Sequence, residues 1–248
     1  MPAYHIVIDF EMNPVRSNAD CPALKREIVE FGAVKIDDVT KEVIDMFSSL
    51  VAPQFNSRIE PVIKRLTGIR TRDIKGCTHF AEVLGDFLRW VGTESVRVYS
   101  WSISDLLQLR EECDAKDVVF PRALTDWVDF QARYSGMLGC SRGNCISLEK
   151  AAIRSGVPIR SESAHRALYD ARITAQLLQV AITGMYQIDC YHVRPTGGVG
   201  LHSMKYAIGD ACASQLGALL QRLKEGSAEE EAVYELPANM RAAAGYCR

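Results

Sequence analysis

The chain has 248 residues and a formal charge of −2, from 29 Lys and Arg residues against 31 Asp and Glu residues. Its 48% hydrophobic and 24% charged residues are typical of a folded domain and exclude a disordered or fibrous chain. The near-neutral balance excludes a uniformly basic nucleic-acid coat protein. The sequence has no apolar run of the roughly 20 residues that a membrane span needs and no signal-peptide pattern, so we expect a cytoplasmic protein.

Three apolar runs in the first fifty residues predict a β-meander. They cover residues 6–8, 28–36 and 43–51, and the last ends just before Pro53. A fourth short strand is predicted at residues 96–100. The alternation of strands and helices after the meander indicates an α/β protein with a mixed sheet.

Helical spacing of apolar residues predicts the remaining elements. Residues 58–76 form a loop with a short helix, and longer helices are predicted at 80–91, 106–113, 123–134, 147–155 and 164–182. Beyond Gly184 the pattern weakens. It leaves a turn at 195–200, which only weakly resembles a phosphate-binding loop, and a possible helix at 211–224.

Asp9 and Glu11 are separated by one residue at the end of the first predicted strand. Because side chains alternate along a strand, both carboxylates point to the same face. Two close carboxylates repel each other unless one is protonated or a divalent cation such as Mg²⁺ or Mn²⁺ binds them. An acidic strand end exposed to water is the alternative.

Two later segments carry further acidic residues and a histidine. Asp105 follows the strand at 96–100 and opens a helix, where an isolated Asp usually interacts with the helix N-terminus. Asp170 lies one turn after Arg166, so an ion pair within the helix is one explanation for it. His165 is five residues before Asp170, and the two face each other only if His165 lies on the loop or first turn.

Five short motifs occur in a fixed order along the chain. They are Asp9-Phe10-Glu11, residues 27–33, residues 66–69, Tyr99-Ser100-Trp101 with Asp105, and residues 165–172. Together they closely resemble the motifs of the DEDDh exonucleases, members of the RNase H-like superfamily. The Tyr-Ser-Trp segment is most similar to the branch of Eri-1-type 3'-5' exoribonucleases and KapD-like proteins. The resemblance covers residues 4–185.

The resemblance implies an RNase H-like mixed β-sheet flanked by α-helices and a phosphodiesterase site with two Mg²⁺ or Mn²⁺ ions. By similarity, His165 is the general base, and the metal ligands are Asp9, Glu11, Asp105 and Asp170. Two cations about 3.5–4 Å apart stabilise the charge that hydrolysis places on phosphate oxygens. A histidine can accept a proton at neutral pH, so we expect activity to rise with pH as His165 loses its proton.

The resemblance also implies which residues contact substrate. They are Phe10, Met12, Leu66, Thr67, Ile69, Trp101 and Arg166. Core packing is the alternative for Phe10, Leu66, Ile69 and Trp101. The basic residues of the loop at 58–76 could track phosphates or could be a scattered surface set; they are Lys64, Arg65, Arg70, Arg72 and Lys75.

The sequence therefore predicts a metal-dependent 3'-5' exonuclease that acts on single-stranded RNA or DNA 3' ends, with RNA preferred, and releases nucleoside 5'-monophosphates. One alternative is a DNA-directed exonuclease of the same fold. Another is a catalytically silent module that binds nucleic acid or protein. The exonuclease domain is predicted at residues 1–185, with a C-terminal extension of unknown role at 186–248. The sequence leaves the oligomeric state open.

Overall fold

The computed structural model describes residues 2–15, 24–137, 145–159, 165–183, 185–193 and 199–207. The strands are β1 (Tyr4–Pro14), β2 (Arg26–Asp37), β3 (Val43–Leu50), β4 (Val96–Ser100), β5 (Trp127–Asp129), β6 (Met185–Val193) and β7 (Val199–Ala207). The helices are α1 (Pro61–Thr67), α2 (Thr71–Ile74), α3 (Phe80–Val91), α4 (Ser104–Ala115), α5 (Phe130–Met137), α6 (Leu148–Ser155) and α7 (Ala167–Thr183). Across these residues, the helices fall short of the length and apolarity that a bilayer crossing requires.

The chain divides into two compact units. The first comprises Met1–Phe130 and Arg160–Ala175, and the second comprises Gln131–Ile159 and Gln176–Arg248. In the first unit, five strands form one sheet in the order β3-β2-β1-β4-β5. Strands β3, β2 and β1 are antiparallel neighbours, whereas β4 and β5 run parallel to β1. The predicted meander and the predicted mixed sheet are confirmed.

The core of the first unit lies between this sheet and α3. Ile6 and Ile8 on β1 and Phe31 on β2 are fully buried, and Phe87 of α3 packs 5.9 Å from Phe31 between ring centroids. Strand β2 is buried along nearly its whole length, because β1 and β3 pair with its two edges and residues of α3 and α7 pack against its side chains and backbone. Its apolar residues are typical of such a central strand, and its interior also carries the buried charged residues Glu27, Glu30 and Lys35.

One predicted helix, at residues 123–134, is wrong. The structure has a 3-10 turn at Arg122–Leu124, strand β5, and then α5. Trp127 and Val128 favour strands, and β5 pairs in parallel with Val98, Tyr99 and Ser100 of β4. A tertiary strand pairing therefore overrides the local helical spacing.

Beyond Gly184, β6 and β7 form an antiparallel hairpin that the sequence did not predict. Residues 195–198 of the predicted turn at 195–200 lie outside the described residues, and Val199 and Gly200 belong to β7. The possible helix at 211–224 lies outside the described residues.

Candidate active site

Strand β1 carries the first two predicted metal ligands. The strand continues to Pro14, so Asp9 and Glu11 lie within it. The sequence pattern had placed them at its end. In the antiparallel pairing with β2, Asp9 is opposite Gly32 and Glu11 is opposite Glu30. The pairing then shifts to Met12 opposite Ile28, an irregularity of the kind that often reorients side chains beside a functional site.

Asp105 is brought to β1 by the first turn of α4. Strand β1 pairs with β4 only from Tyr4 to Val7, and beyond this point α4 begins. The buried Asp105 carboxylate accepts a hydrogen bond from the Phe10 backbone N–H, with 3.1 Å between nitrogen and Oδ1. Asp105 therefore anchors α4 to β1 at Phe10, the residue between Asp9 and Glu11.

His165 and Asp170 come together at the start of α7. His165 directly precedes Arg166 and α7, and its φ of 63° places it in the left-handed region, which is uncommon for a residue with a Cβ. Its backbone N–H donates to Asp170 Oδ2 over 3.2 Å. His165 thus lies on the loop, the location required for the two residues to face each other, and its side chain is exposed.

Asp9, Glu11 and Asp170 form a carboxylate cluster, in which one oxygen from each lies within 4.8 Å of the others. Burial, followed by repulsion from Asp105 and Asp170, raises the pKa of Asp9 well above its usual range. Burial and the charge of Asp170 raise the pKa of Glu11 to about 8. Burial raises the pKa of Asp105 to about 7.

This set of donors fits a divalent cation. All three groups offer carboxylate oxygens, the ligands that Mg²⁺ and Mn²⁺ prefer. Burial and, after it, the neighbouring carboxylates raise the pKa of Asp9 and Glu11 and so disfavour their charged forms, which a bound cation would stabilise. The cluster therefore suits metal binding better than it suits free carboxylates.

Glu30 is a residue of the site that sequence reasoning missed. Its buried carboxylate accepts hydrogen bonds from Arg166 Nε, at 3.1 Å to each oxygen, and from Arg166 Nη2 at 2.6 Å. It also accepts one from the Ala167 backbone N–H at 3.0 Å. Arg166 thus pairs with Glu30, 136 positions away, whereas the sequence suggested an ion pair with Asp170 or a contact with substrate.

The residues predicted to contact substrate occupy two kinds of position. Phe10 and Ile69 are buried in apolar clusters, Trp101 packs against Phe130, and Thr67 is buried with its hydroxyl bonded to the Ile63 carbonyl. Leu66, by contrast, is 49% exposed, and Met12 is half-buried at the edge of the core.

The basic residues of α1, of α2 and of the positions flanking α2 lie on an exposed surface that is hydrogen-bonded to β1 through Asn13. All five are exposed, namely Lys64, Arg65, Arg70, Arg72 and Lys75. Buried Asn13, two residues after Glu11, accepts from the Glu60 N–H and donates to the Arg58 carbonyl, at 2.9 Å each. The segment leading into α1 is therefore anchored next to the carboxylate strand.

Comparison with known proteins relates the chain to exonucleases. A model of the exonuclease family matches residues 6–178. ERI1 exoribonuclease 2 of Danio rerio is 27% identical over 228 residues, which covers 79% of this chain and 40% of the relative. The human 3'-5' exoribonuclease 1 is 26% identical over 159 residues, which covers 59% of this chain and 44% of the relative. The chain thus spans about two fifths of the length of these curated relatives.

Solved structures show the same fold. The nuclease domain of 3'hExo, a DEDDh family member crystallised with rAMP, superposes with a TM-score of 0.62 at 23% identity, covering 72% of this chain and 90% of that one. Cell-death related nuclease 4 gives a TM-score of 0.61 at 16% identity, covering 99% and 98% of the two chains. The fold is therefore RNase H-like, with the mixed sheet and flanking helices predicted from the sequence.

The chain belongs to the exonuclease family. The predicted resemblance to DEDDh 3'-5' exonucleases of the Eri-1 type is confirmed by these relatives.

Proposed function

We propose that this protein is a metal-dependent 3'-5' exonuclease that acts on single-stranded 3' ends, prefers RNA to DNA and releases nucleoside 5'-monophosphates. The observation that carries the proposal is the Asp9, Glu11 and Asp170 cluster, with Asp105 beside it and His165 at its rim. The family match over residues 6–178 supports an exonuclease domain at 1–185, with residues 186–248 as an extension.

In this proposal the chain holds two Mg²⁺ or Mn²⁺ ions with Asp9, Glu11, Asp105 and Asp170. The ions, when bound, supply positive charge for the attacking, leaving and non-bridging oxygens of the phosphodiester. The His165 imidazole accepts the proton of the attacking water, a task that its exposed position at the edge of the cluster allows. The Asp170 carboxylate holds the His165 backbone in place while it serves as a ligand.

On the substrate side, exposed Leu66 and half-buried Met12 are the residues we assign to contact with the terminal nucleotide. The buried positions of Phe10, Thr67, Ile69 and Trp101 support a role in shaping the pocket from behind. The exposed basic residues of α1 and α2 are assigned to the phosphates that follow, so binding weakens as salt rises. The names of the relatives, which are exoribonucleases, support the proposed RNA preference.

The test uses the full chain with 5'-labelled single-stranded RNA and the matching DNA, in Mn²⁺, Mg²⁺ or chelator. We expect a metal-dependent ladder that shortens from the 3' end, faster on RNA, and absent in Asp9→Asn. Asp114→Asn is the matched control, because Asp114 is an exposed carboxylate at the far end of α4 and should leave activity unchanged.

Other results select the alternatives. Faster cleavage of DNA would indicate the DNA-directed enzyme, since only RNA offers a 2'-hydroxyl to the site. Absence of cleavage together with absence of Mn²⁺ binding would contradict the enzyme and favour a silent binding module.

A further inference from the structure

Arg166 and Glu30 join two parts of the candidate active site that are far apart in sequence. Glu30 lies on β2 directly opposite Glu11, and Arg166 separates His165 from the first residue of α7. The guanidinium engages both oxygens of Glu30, a fixed geometry that a flexible ammonium group cannot reproduce. The Glu30 side chain is 2% exposed, so these contacts replace the hydrogen bonds that water would otherwise make to its carboxylate.

A second contact fixes the same helix turn to the same strand. Gly32, two residues after Glu30 and opposite Asp9, has no side chain where α7 crosses it. A Cβ built on Gly32 would lie 2.1 Å from the Ala167 carbonyl carbon and 2.1 Å from the Leu168 nitrogen. The backbone of the first turn of α7 therefore rests directly on β2 at Gly32, the strand position opposite Asp9.

We propose that Glu30 and Arg166 are positioning residues, which hold the first turn of α7 so that His165 and Asp170 meet Asp9 and Glu11. This assignment rests on the proposed exonuclease function. It replaces contact with substrate as the main role of Arg166, because Nε and Nη2 of its guanidinium are already engaged by Glu30. The pair and the Ala167 N–H bond act on the residues between His165 and Asp170, so both functional groups move if the pair is lost.

The test compares Glu30→Gln, Arg166→Gln, Arg166→Lys and the double variant Glu30→Gln/Arg166→Gln in the full chain. Each is assayed for kcat and KM on single-stranded RNA at several salt concentrations, and for Mn²⁺ affinity by isothermal titration calorimetry. We expect each single variant to lose roughly 10- to 100-fold in kcat and to bind Mn²⁺ more weakly, as outer-shell substitutions do. KM and its salt dependence should stay near those of the parent chain.

The double variant separates positioning from independent effects. Since both residues act through one pair, we expect the double variant to lose no more than the worse single variant. Lys116→Met is the matched stability control, because Lys116 also forms buried ion pairs in this unit, with Glu27 and Glu112, but makes no contact with α7 among those described. Positioning is supported if the Glu30 and Arg166 variants lose kcat while Lys116→Met, compared at the same loss of thermal stability, keeps the parent kcat.

Two results would overturn the proposal. One is a raised KM with a shallower salt dependence in the Arg166 variants while Glu30→Gln keeps the parent kcat, which assigns Arg166 to a substrate phosphate. The other is parent-like kcat and Mn²⁺ affinity in all four variants. A parent chain that neither cleaves RNA nor binds Mn²⁺ would instead overturn the proposed function, so the two failures are distinguishable.

Discussion

Replacing Gly32 with Ala tests how tightly the site depends on the approach of α7 to β2. The added Cβ would lie 2.1 Å from backbone atoms of Ala167 and Leu168, whereas ordinary contacts begin at 3.4 Å. The helix turn and the strand must therefore separate by about 1.3 Å, because neither neighbour is a flexible side chain. Overpacking of this kind typically destabilises a protein by about 1–3 kcal/mol.

The same displacement acts on the chemistry. His165 and Asp170 flank the displaced turn, and a misplacement of about 1 Å in a catalytic group can reduce the rate by on the order of 100-fold. We therefore expect Gly32→Ala to show a lower free energy of unfolding in urea, weaker Mn²⁺ binding, and a fall in kcat of about 10- to 100-fold.

Gly85→Ala supplies the control for this experiment. Gly85 lies within α3, and a Cβ there would have its nearest neighbour, Arg89 Nη1, at 3.7 Å. Since Ala favours a helix over Gly, this variant should be more stable by roughly 0.5–1 kcal/mol and fully active. Parent-like stability and activity in Gly32→Ala would refute the reasoning, because the close backbone approach would then have no energetic consequence.

Three further changes have distinct expected results. His165→Asn should keep the fold, because Asn tolerates the left-handed backbone at φ 63°. Its single-turnover rate should fall roughly 10²- to 10⁴-fold. A rate near that of the parent chain would contradict the role of His165 as general base. In chelator, the free energy of unfolding measured in urea should fall as pH rises from about 5 to 8. Burial raises the pKa of Glu11 to about 8, so over this range the folded chain retains a proton that the unfolded chain releases. Glu11→Gln should make that slope shallower without abolishing it, because the pKa values of Asp9 and Asp105 are raised as well, and an unchanged slope would contradict the assignment. Lys116→Met should lower the free energy of unfolding by about 3–5 kcal/mol, because it leaves the buried Glu27 and Glu112 without their cation. Arg97→Met, at the exposed pair with Asp126, should lower it by less than about 1 kcal/mol. Equal losses in urea unfolding would contradict an effect of burial.

Features encoded by neighbouring residues could be predicted from the sequence. The apolar spacing of residues 80–91 predicted α3 with the bounds that the structure has, because one face of that helix packs on the sheet. The spacing of Asp9 and Glu11, with one residue between them, predicted both carboxylates on one face of β1, and their oxygens lie within 4.8 Å of each other. The five motifs then gave the family, which the comparisons confirm.

Features that depend on tertiary contacts could not be predicted in this way. Strand β5 has three residues, and its pairing with β4 is invisible in the local pattern. Glu30 reads as one more polar residue of a buried strand until Arg166 is brought to it from 136 positions away. Gly32 likewise carries no local signal, since its role comes from the helix backbone above it.

These long-range contacts also explain how four carboxylates that repel one another can be held together. Each part of the site is fixed by a contact that does not involve a metal: α4 by the bond from the Phe10 N–H to Asp105, and α7 by Glu30 and by the close approach to Gly32. The core that supports β1 and β2 stabilises the arrangement, while burial and then repulsion between the carboxylates raise the pKa of Asp9 and Glu11. The carboxylates are therefore preorganised for cations that would relieve this repulsion, and no binding energy would be lost in ordering the site.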